Sequence, residues 1–587
     1  MGQLAKEYFE LLKESRGKRA AFAIALSLLA FWIQLLFSPQ GTDDDWAISI
    51  LLSNSYPDSG YSLFIHPWFS AFVSFLFDVL PWGPNYFIIV EIVLSIAATF
   101  VILYYAIGHL NIGGALGVTA ITVLFGVPYC TQYINFTVVT AILACAGMII
   151  LSVQLFERRF TPATTVVGVL FMCLASLLRL KAVALCGPAL LVLCVVAFMR
   201  MRDLRVGERL RLFVPIAVAA ACCLALAATS FAIMQQPQWK NWDDITNPRS
   251  DMYDYYPIRP YDEVADQLAV IGVSENDYWM VQNWTANDTG FFTAEKLQEI
   301  ADIVCVEPGM SAGRVLQTCA EYVMRLGARP YMTLAVVAVL MMLYGAWRRS
   351  PRFERLACLA MVVITFAELL FIAMSGRILL RVEYPIWMFS VIALAVLVGA
   401  GGPFSPRAAH AATGAGTFAA GALLAFVVTL ATYMGAIGSP DVDTVEAIFG
   451  KSDEGNSQLL NYQKEHADCS FALDYNVIRV REEMYLRRCL PSREITRATQ
   501  SMGGWEYGAA FYDEALSEYT GLDGGVMESL AKSDKVYMVG VSDKYAKHVL
   551  QYVREHYNPA AEMRVVDEIK DSVMGKTFKV FSFAPQQ

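Results

Sequence analysis

Apolar runs of about 18–24 residues recur along the first three quarters of the chain, each long enough to cross a ~30 Å hydrocarbon core as a helix. They fall at 20–37, 85–108, 112–129, 137–156, 163–179, 182–199, 212–234, 330–346, 357–375, 385–400 and 412–435. The pattern predicts an all-α polytopic membrane bundle of about eleven transmembrane helices. One further apolar piece, 61–80, contains His66, Pro67, Trp68 and Asp78 and ends on Pro81-Trp82-Gly83-Pro84-Asn85. Counting it as a span would put every later basic loop on the wrong side of the membrane, so charge parity predicts a helix lying along the outer surface.

Charge sets the orientation. Of the 587 residues only 17% are charged, below the soluble norm, and the formal net charge is -9. Lys6, Lys13, Arg16, Lys18 and Arg19 precede the first run. No small-x-small cleavage site follows cleanly, so this run reads as a retained helix with a cytoplasmic N-terminus. Glu157-Arg158-Arg159, the Arg200–Arg205 stretch, Trp347-Arg348-Arg349 and the Arg407–His410 stretch then share the cytoplasmic side. The expected location is the cell membrane, multi-pass, with the C-terminal part extracytoplasmic. Residues 1–435 form the transmembrane domain, with external loops 38–84 and 235–328. The loop 235–328 is rich in Trp and Tyr, among them Trp239, Trp242, Trp279 and Trp284, which suits an aromatic belt or a substrate lining. Residues 436–587 read as a soluble α/β domain, with strands at 535–540 and 578–583 and an amphipathic helix at 543–557. Cys305 with Cys319, and Cys469 with Cys489, are two local pairs in exported segments, which predicts two disulfides.

The first external loop carries the candidate chemistry: Gly41-Thr42-Asp43-Asp44-Asp45-Trp46. Adjacent carboxylates repel unless a cation or hydrogen-bond donor answers them. They also suit the cap and first turn of a following helix, although a single Asp suffices for a cap. Basic residues at outer helix ends run against the positive-inside trend and are informative for that reason: Arg179 with Lys181, and Arg377 with Arg381. A lipid-linked sugar phosphate has its head at this depth, and its transfer needs a base for the acceptor hydroxyl and cations for the departing phosphate. Arg forks match phosphate oxygens bidentately and Lys adds a point charge. One aspartate, with Asp44 the choice, serves as base. Asp43 and Asp45 are the residues for a divalent cation, Mg or Mn, if one is used. No other cofactor is called for.

A first helix, an acidic motif on the first external loop, Phe64-Ile65-His66-Pro67-Trp68 on a surface helix, a bundle of about eleven spans and an external C-terminal domain together resemble the GT-C superfamily of polyprenyl-phosphate-sugar-dependent glycosyltransferases. The resemblance covers residues 1–435. It implies an inverting transfer of a sugar from a polyprenyl phosphate to a glycan, lipid or protein acceptor of the cell envelope on the outer face, with the triplet supplying the base. Many relatives carry a second acidic residue before the fourth span. This chain has Gln132-Tyr133-Ile134-Asn135-Phe136-Thr137 there, which weakens the case for a metal and leaves Asn135 to hydrogen-bond a sugar. His66 reads as a helix-start residue or as a group orienting the acceptor or lipid phosphate, and Trp46 as a sugar-stacking or interfacial ring. Asn135, Asn283 and Asn287 each begin a glycosylation acceptor pattern. A polysaccharide polymerase or ligase, or a transporter or flippase for a lipid-linked substrate, is the alternative. The absence of an internal repeat weighs against the carrier. Nothing in the charge pattern suggests nucleic-acid binding.

Overall fold

The computed structural model describes the chain except residues 1, 38–42, 57–58, 126–134, 307–308, 310, 329, 350, 375–378, 400–456, 479–489, 507, 523, 573 and 585–587. In chain order the helices that carry the architecture begin with α1 (Arg16–Phe37), α2 (Asp43–Leu52), α3 (Pro67–Val79), α4 (Tyr86–His109) and α5 (Phe136–Glu157). They continue with α6 (Pro162–Ala184), α7 (Gly187–Arg200), α8 (Val206–Met234), α9 (Pro237–Ser250) and α10 (Glu275–Gln282). The last are α11 (Ala294–Val304), α12 (Arg352–Met374), α13 (Leu380–Gly399) and α14 (Asp543–His556). Among the described residues α4, α5, α6, α8, α12 and α13 are long and apolar enough to cross a membrane. The expected span at 412–435 lies outside the described residues.

Contacts divide the chain into two units. A membrane unit comprises Met1–Gln40, Ile89–Thr229 and Ser311–Val445, and a sheet unit comprises Gly41–Ile88, Ser230–Met310 and Glu446–Gln587. In the membrane unit α5 is apolar all round and buried from Phe136 to Phe156, the signature of a helix at the middle of a bundle. It packs most closely on α6, where small residues let the backbones approach. A Cβ on Gly147 would lie 2.9 Å from the Gly168 carbonyl oxygen and 2.7 Å from Met172 Cγ. By contrast α8 leaves Leu224 and Phe231 exposed at 70% and 67%, as a peripheral lipid-facing helix does.

One end of the membrane unit is laced by arginines. The Arg200 guanidinium donates to a Glu354 carboxylate oxygen at 2.7 Å and to the Leu397 carbonyl at 3.0 Å, and lies 4.9 Å from the centroid of Phe156. Arg158 adopts a left-handed conformation (φ 55°) that ends α5, and its side chain pairs with Asp203.

The sheet unit holds five strands, β1 (Ser470–Leu473), β2 (Thr499–Ser501), β3 (Val536–Gly540), β4 (Arg564–Asp571) and β5 (Lys576–Ser582). Their order is β2-β1-β3-β5-β4. The first three are parallel, while β5 pairs antiparallel with β3 and β4. The strands and helix expected at 535–540, 543–557 and 578–583 appear as β3, α14 and β5. One hydrophobic core runs through residues 245–304 and 472–583, including Ile245, Leu268, Tyr278, Phe292, Met538, Tyr552 and Phe581. Polar contacts join the same segments: Asp288 accepts from the hydroxyls of Tyr552 and Tyr557 at 2.6 Å each, and the His548 ring stacks on Trp279 at 3.5 Å and 8°. Trp239 and Trp242 are 4% and 1% exposed and pack against Tyr61 and, for Trp242, Trp505. They are interior residues, not an aromatic belt.

The expected disulfides fare differently. Cys305 and Cys319 are free thiols. Cys305 caps the end of α11 with its backbone bridged to Ile258, and burial beside Asp251 and Asp302 pushes its thiol up to about 11. Cys319 sits within the helix Ala312–Ala328 of the membrane unit. Cys469 is likewise a free thiol, and Cys489 lies outside the described residues.

Candidate functional site

The acidic triplet opens α2, so Asp43, Asp44 and Asp45 form its first turn, where carboxylates offset the positive end of the helix dipole. Asp45 is fully buried, whereas Asp44 is half-buried. Ser49, one turn on, donates its hydroxyl to the Asp45 carbonyl at 2.6 Å and accepts from the Asn85 amide at 2.9 Å. That polar link ties α2 to the residue that precedes α4. Trp46 is buried at 8% exposure and is not presented at a surface.

His66 is the N-cap of α3: its Nδ1 accepts from the Trp68 amide at 3.1 Å, which leaves the ring proton on Nε2. Pro67 follows at the first helical position, where its missing N–H costs nothing. The helix has 13 residues, about 20 Å, too short for a ~30 Å core. One face buries Phe69, Ser70, Val73, Ser74 and Phe77, while Trp68, Phe72, Phe75 and Val79 on the other are 50–58% exposed. Apolar side chains thus occupy both faces of a helix too short to cross such a core.

In the membrane unit the decisive residue is Arg179. The helix α6 is broken there, with φ -160° and ψ 97° inside otherwise helical backbone. The Arg179 guanidinium donates from Nη1 to Thr137 Oγ1 at 2.9 Å and lies 4.6 Å from the Phe136 centroid. Asn135, fully buried, is the N-cap of α5, its side-chain oxygen accepting from the Thr137 amide at 2.9 Å. Two residues singled out from the sequence, Arg179 and Asn135, therefore meet at the N-terminus of α5, through Thr137. A guanidinium beside the positive end of a helix dipole builds the polarity that a phosphate needs.

Arg381 belongs to the same end of this unit. The last turns of α5 and α13 meet at Arg200, through Phe156 and Leu397. Their first turns, with Asn135 and Arg381, lie ~25–30 Å away at the opposite end. Lys181 is exposed two residues beyond the break in α6. Arg377 lies outside the described residues. Of the glycosylation patterns, Asn135 and Asn287 are buried and the Asn283 amide is bonded to the Trp279 carbonyl at 2.9 Å. Phe136 and Thr137 were not singled out from sequence. Their only signal was an Asn-x-Thr pattern, which the structure uses as a helix cap.

No family model and no curated protein matches this chain. Among solved structures, ArnT from Cupriavidus metallidurans bound to undecaprenyl phosphate is 14% identical, covers 97% of this chain and 99% of its own, and gives a TM-score of 0.46. The apo state of the same ArnT, also 14% identical with the same coverage, gives 0.31.

Proposed function

We propose that this protein is a membrane glycosyltransferase that moves a sugar from a polyprenyl phosphate to a cell-envelope acceptor on the outer face, with inversion at the anomeric carbon. The observation that carries the reading is Arg179, turned out of a broken membrane helix onto Phe136 and Thr137 at the N-terminus of α5. Irregular backbone at such a depth is tolerated where it serves a cavity or a ligand. A cation beside a helix N-terminus suits a phosphate monoanion or dianion. Arg381 and Lys181 add charge for the same group.

In the reaction the acceptor hydroxyl loses its proton to a carboxylate as its oxygen bonds to the anomeric carbon. The glycosidic C–O bond to phosphate breaks on the opposite face, and the electron pair leaves with the polyprenyl phosphate. Asp44, half-buried beside the buried Asp45, is assigned as the base. Asp43 and Asp45 orient it, or share a divalent cation with it. The end carrying Arg158, Arg200, Arg202 and Arg205 is cytoplasmic by the positive-inside rule, which puts Arg179 at the outer boundary.

Asp44→Asn should lower sugar incorporation into the envelope by about 10²–10⁴-fold, and Arg381→Ala should also abolish it, each with an unchanged melting temperature. Full activity in all three single Asp→Asn variants would remove the triplet from catalysis.

A further inference from the structure

We infer that Thr137 and Phe136 are positioning residues that hold Arg179 in its phosphate-binding orientation, an inference that rests on the proposed role of Arg179. Once α6 breaks at Arg179, the helix no longer dictates where this long side chain points. Two of its contacts bear on that orientation. Thr137 offers a hydroxyl acceptor to Nη1 at 2.9 Å, and Phe136 offers a ring face 4.6 Å below the guanidinium carbon.

Both supports are rigid. Phe136 is fully buried and Thr137 is 3% exposed. Thr137 is β-branched, and its own amide is fixed by the Asn135 cap at 2.9 Å, so its hydroxyl has few alternatives. The sequence Asn135-Phe136-Thr137 acts as one device: the first residue caps the helix, the second stacks and the third binds. Stacking on a ring suits a guanidinium and not an ammonium. The fork is thereby presented in one plane, as bidentate recognition of phosphate oxygens requires.

The test is the affinity of the purified full-length protein for undecaprenyl phosphate in detergent. Arg179→Ala should bind at least ten-fold more weakly. Thr137→Val keeps the shape and removes the acceptor. It should weaken binding roughly ten-fold, as expected for a lost hydrogen bond to a charged group, and Thr137→Ser should restore it to within about two-fold. Phe136→Leu should cost a few-fold. In an Arg179→Ala background neither Thr137→Val nor Phe136→Leu should weaken binding further, because the group they position is gone. If Arg179→Ala binds like the wild type, the phosphate role of Arg179 fails. If Arg179→Ala loses binding while Thr137→Val keeps it, only the positioning inference fails. An equal loss from Thr137→Val with and without Arg179 would show a purely structural role and also overturn it. Should Thr137→Val not fold, the Phe136→Leu cycle decides in its place.

Discussion

Two arginines sit over phenylalanine rings at opposite ends of one helix. Arg179 covers Phe136 at the start of α5 and Arg200 covers Phe156 near its end, at 4.6 and 4.9 Å. The ring distances are nearly the same, yet the helix dipole beside them differs in sign. Arg200 lies where the helix dipole is negative, with Glu354 and a carbonyl as acceptors, so helix, carboxylate and cation satisfy one another. Arg179 lies where the dipole is positive, with a threonine hydroxyl among its acceptors. A cation is favoured at a helix C-terminus and disfavoured at an N-terminus, by about 0.3–1 kcal/mol at an exposed site and more when desolvated. The first arrangement is a clasp between helices; the second is the one proposed to receive an anion. Residue type and ring contact are shared by the two arginines, whereas the end of the helix is not.

The sharpest way to break this comparison is to remove each arginine and read both function and stability. Arg179→Ala should lower transfer by about 10²–10³-fold with little change in melting temperature. Equal activity would reduce it to a second clasp. Arg200→Ala should do the reverse, leaving lipid-phosphate binding intact in the folded protein while destabilising it. With Arg200 and Glu354 still 22% and 17% exposed, the expected cost is roughly 2–3 kcal/mol, less than for a fully buried pair left half-made. Glu354→Gln in the Arg200→Ala background should recover part of that loss, and chemical denaturation checks it.

The smallest effect separates the membrane clasp from the sheet unit by pH. His556 Nε2 bonds Asp277 at 2.8 Å across α14 and α10. Burial works against its charge, but the hydrogen bond and charge of Asp277, with Asp288 and Glu555 nearby, hold its pKa above the ordinary 6.5. A raised folded pKa means that the stabilisation is complete below about 6.5, the unfolded value, and is lost as pH rises through the folded value. His548, pushed down by burial and Lys544, acts in the opposite sense, so the measurement is a difference. The wild type should lose more melting temperature between pH 6 and pH 8 than His556→Gln. Identical slopes would show that the pair contributes nothing.

Much of this molecule is legible along the chain. Long apolar runs and loop arginines predict the helices, and short Val-, Tyr- and Phe-rich stretches predict β3 and β5. His66-Pro67 marks a helix start that the structure confirms as an N-cap. The acidic triplet was visible as an oddity, and so was Arg179 as a basic residue at the unexpected end of a span. Illegible were the partners. Thr137 is 42 residues from Arg179, and nothing in the local pattern at either position records the pairing. The helix break at Arg179 carries no proline or glycine to announce it. The Trp-rich loop misled for the same reason, since composition suits a belt while Trp239 and Trp242 are buried by side chains brought from elsewhere in the chain.

The sequence by itself determined the solvent each segment would meet, because hydrophobicity and charge are summed over neighbours along the chain and need no tertiary contact. It therefore dictated the membrane bundle, the short helix at 67–79 and the polar segments. Tertiary structure alone decided that residues 245–304 and 472–583 share a core, that Cys305 and Cys319 are free thiols, and that Phe136 and Thr137 receive Arg179. Those outcomes depend on close packing between distant residues, where side-chain shape, helix polarity and hydrogen-bond geometry must agree at one point in space.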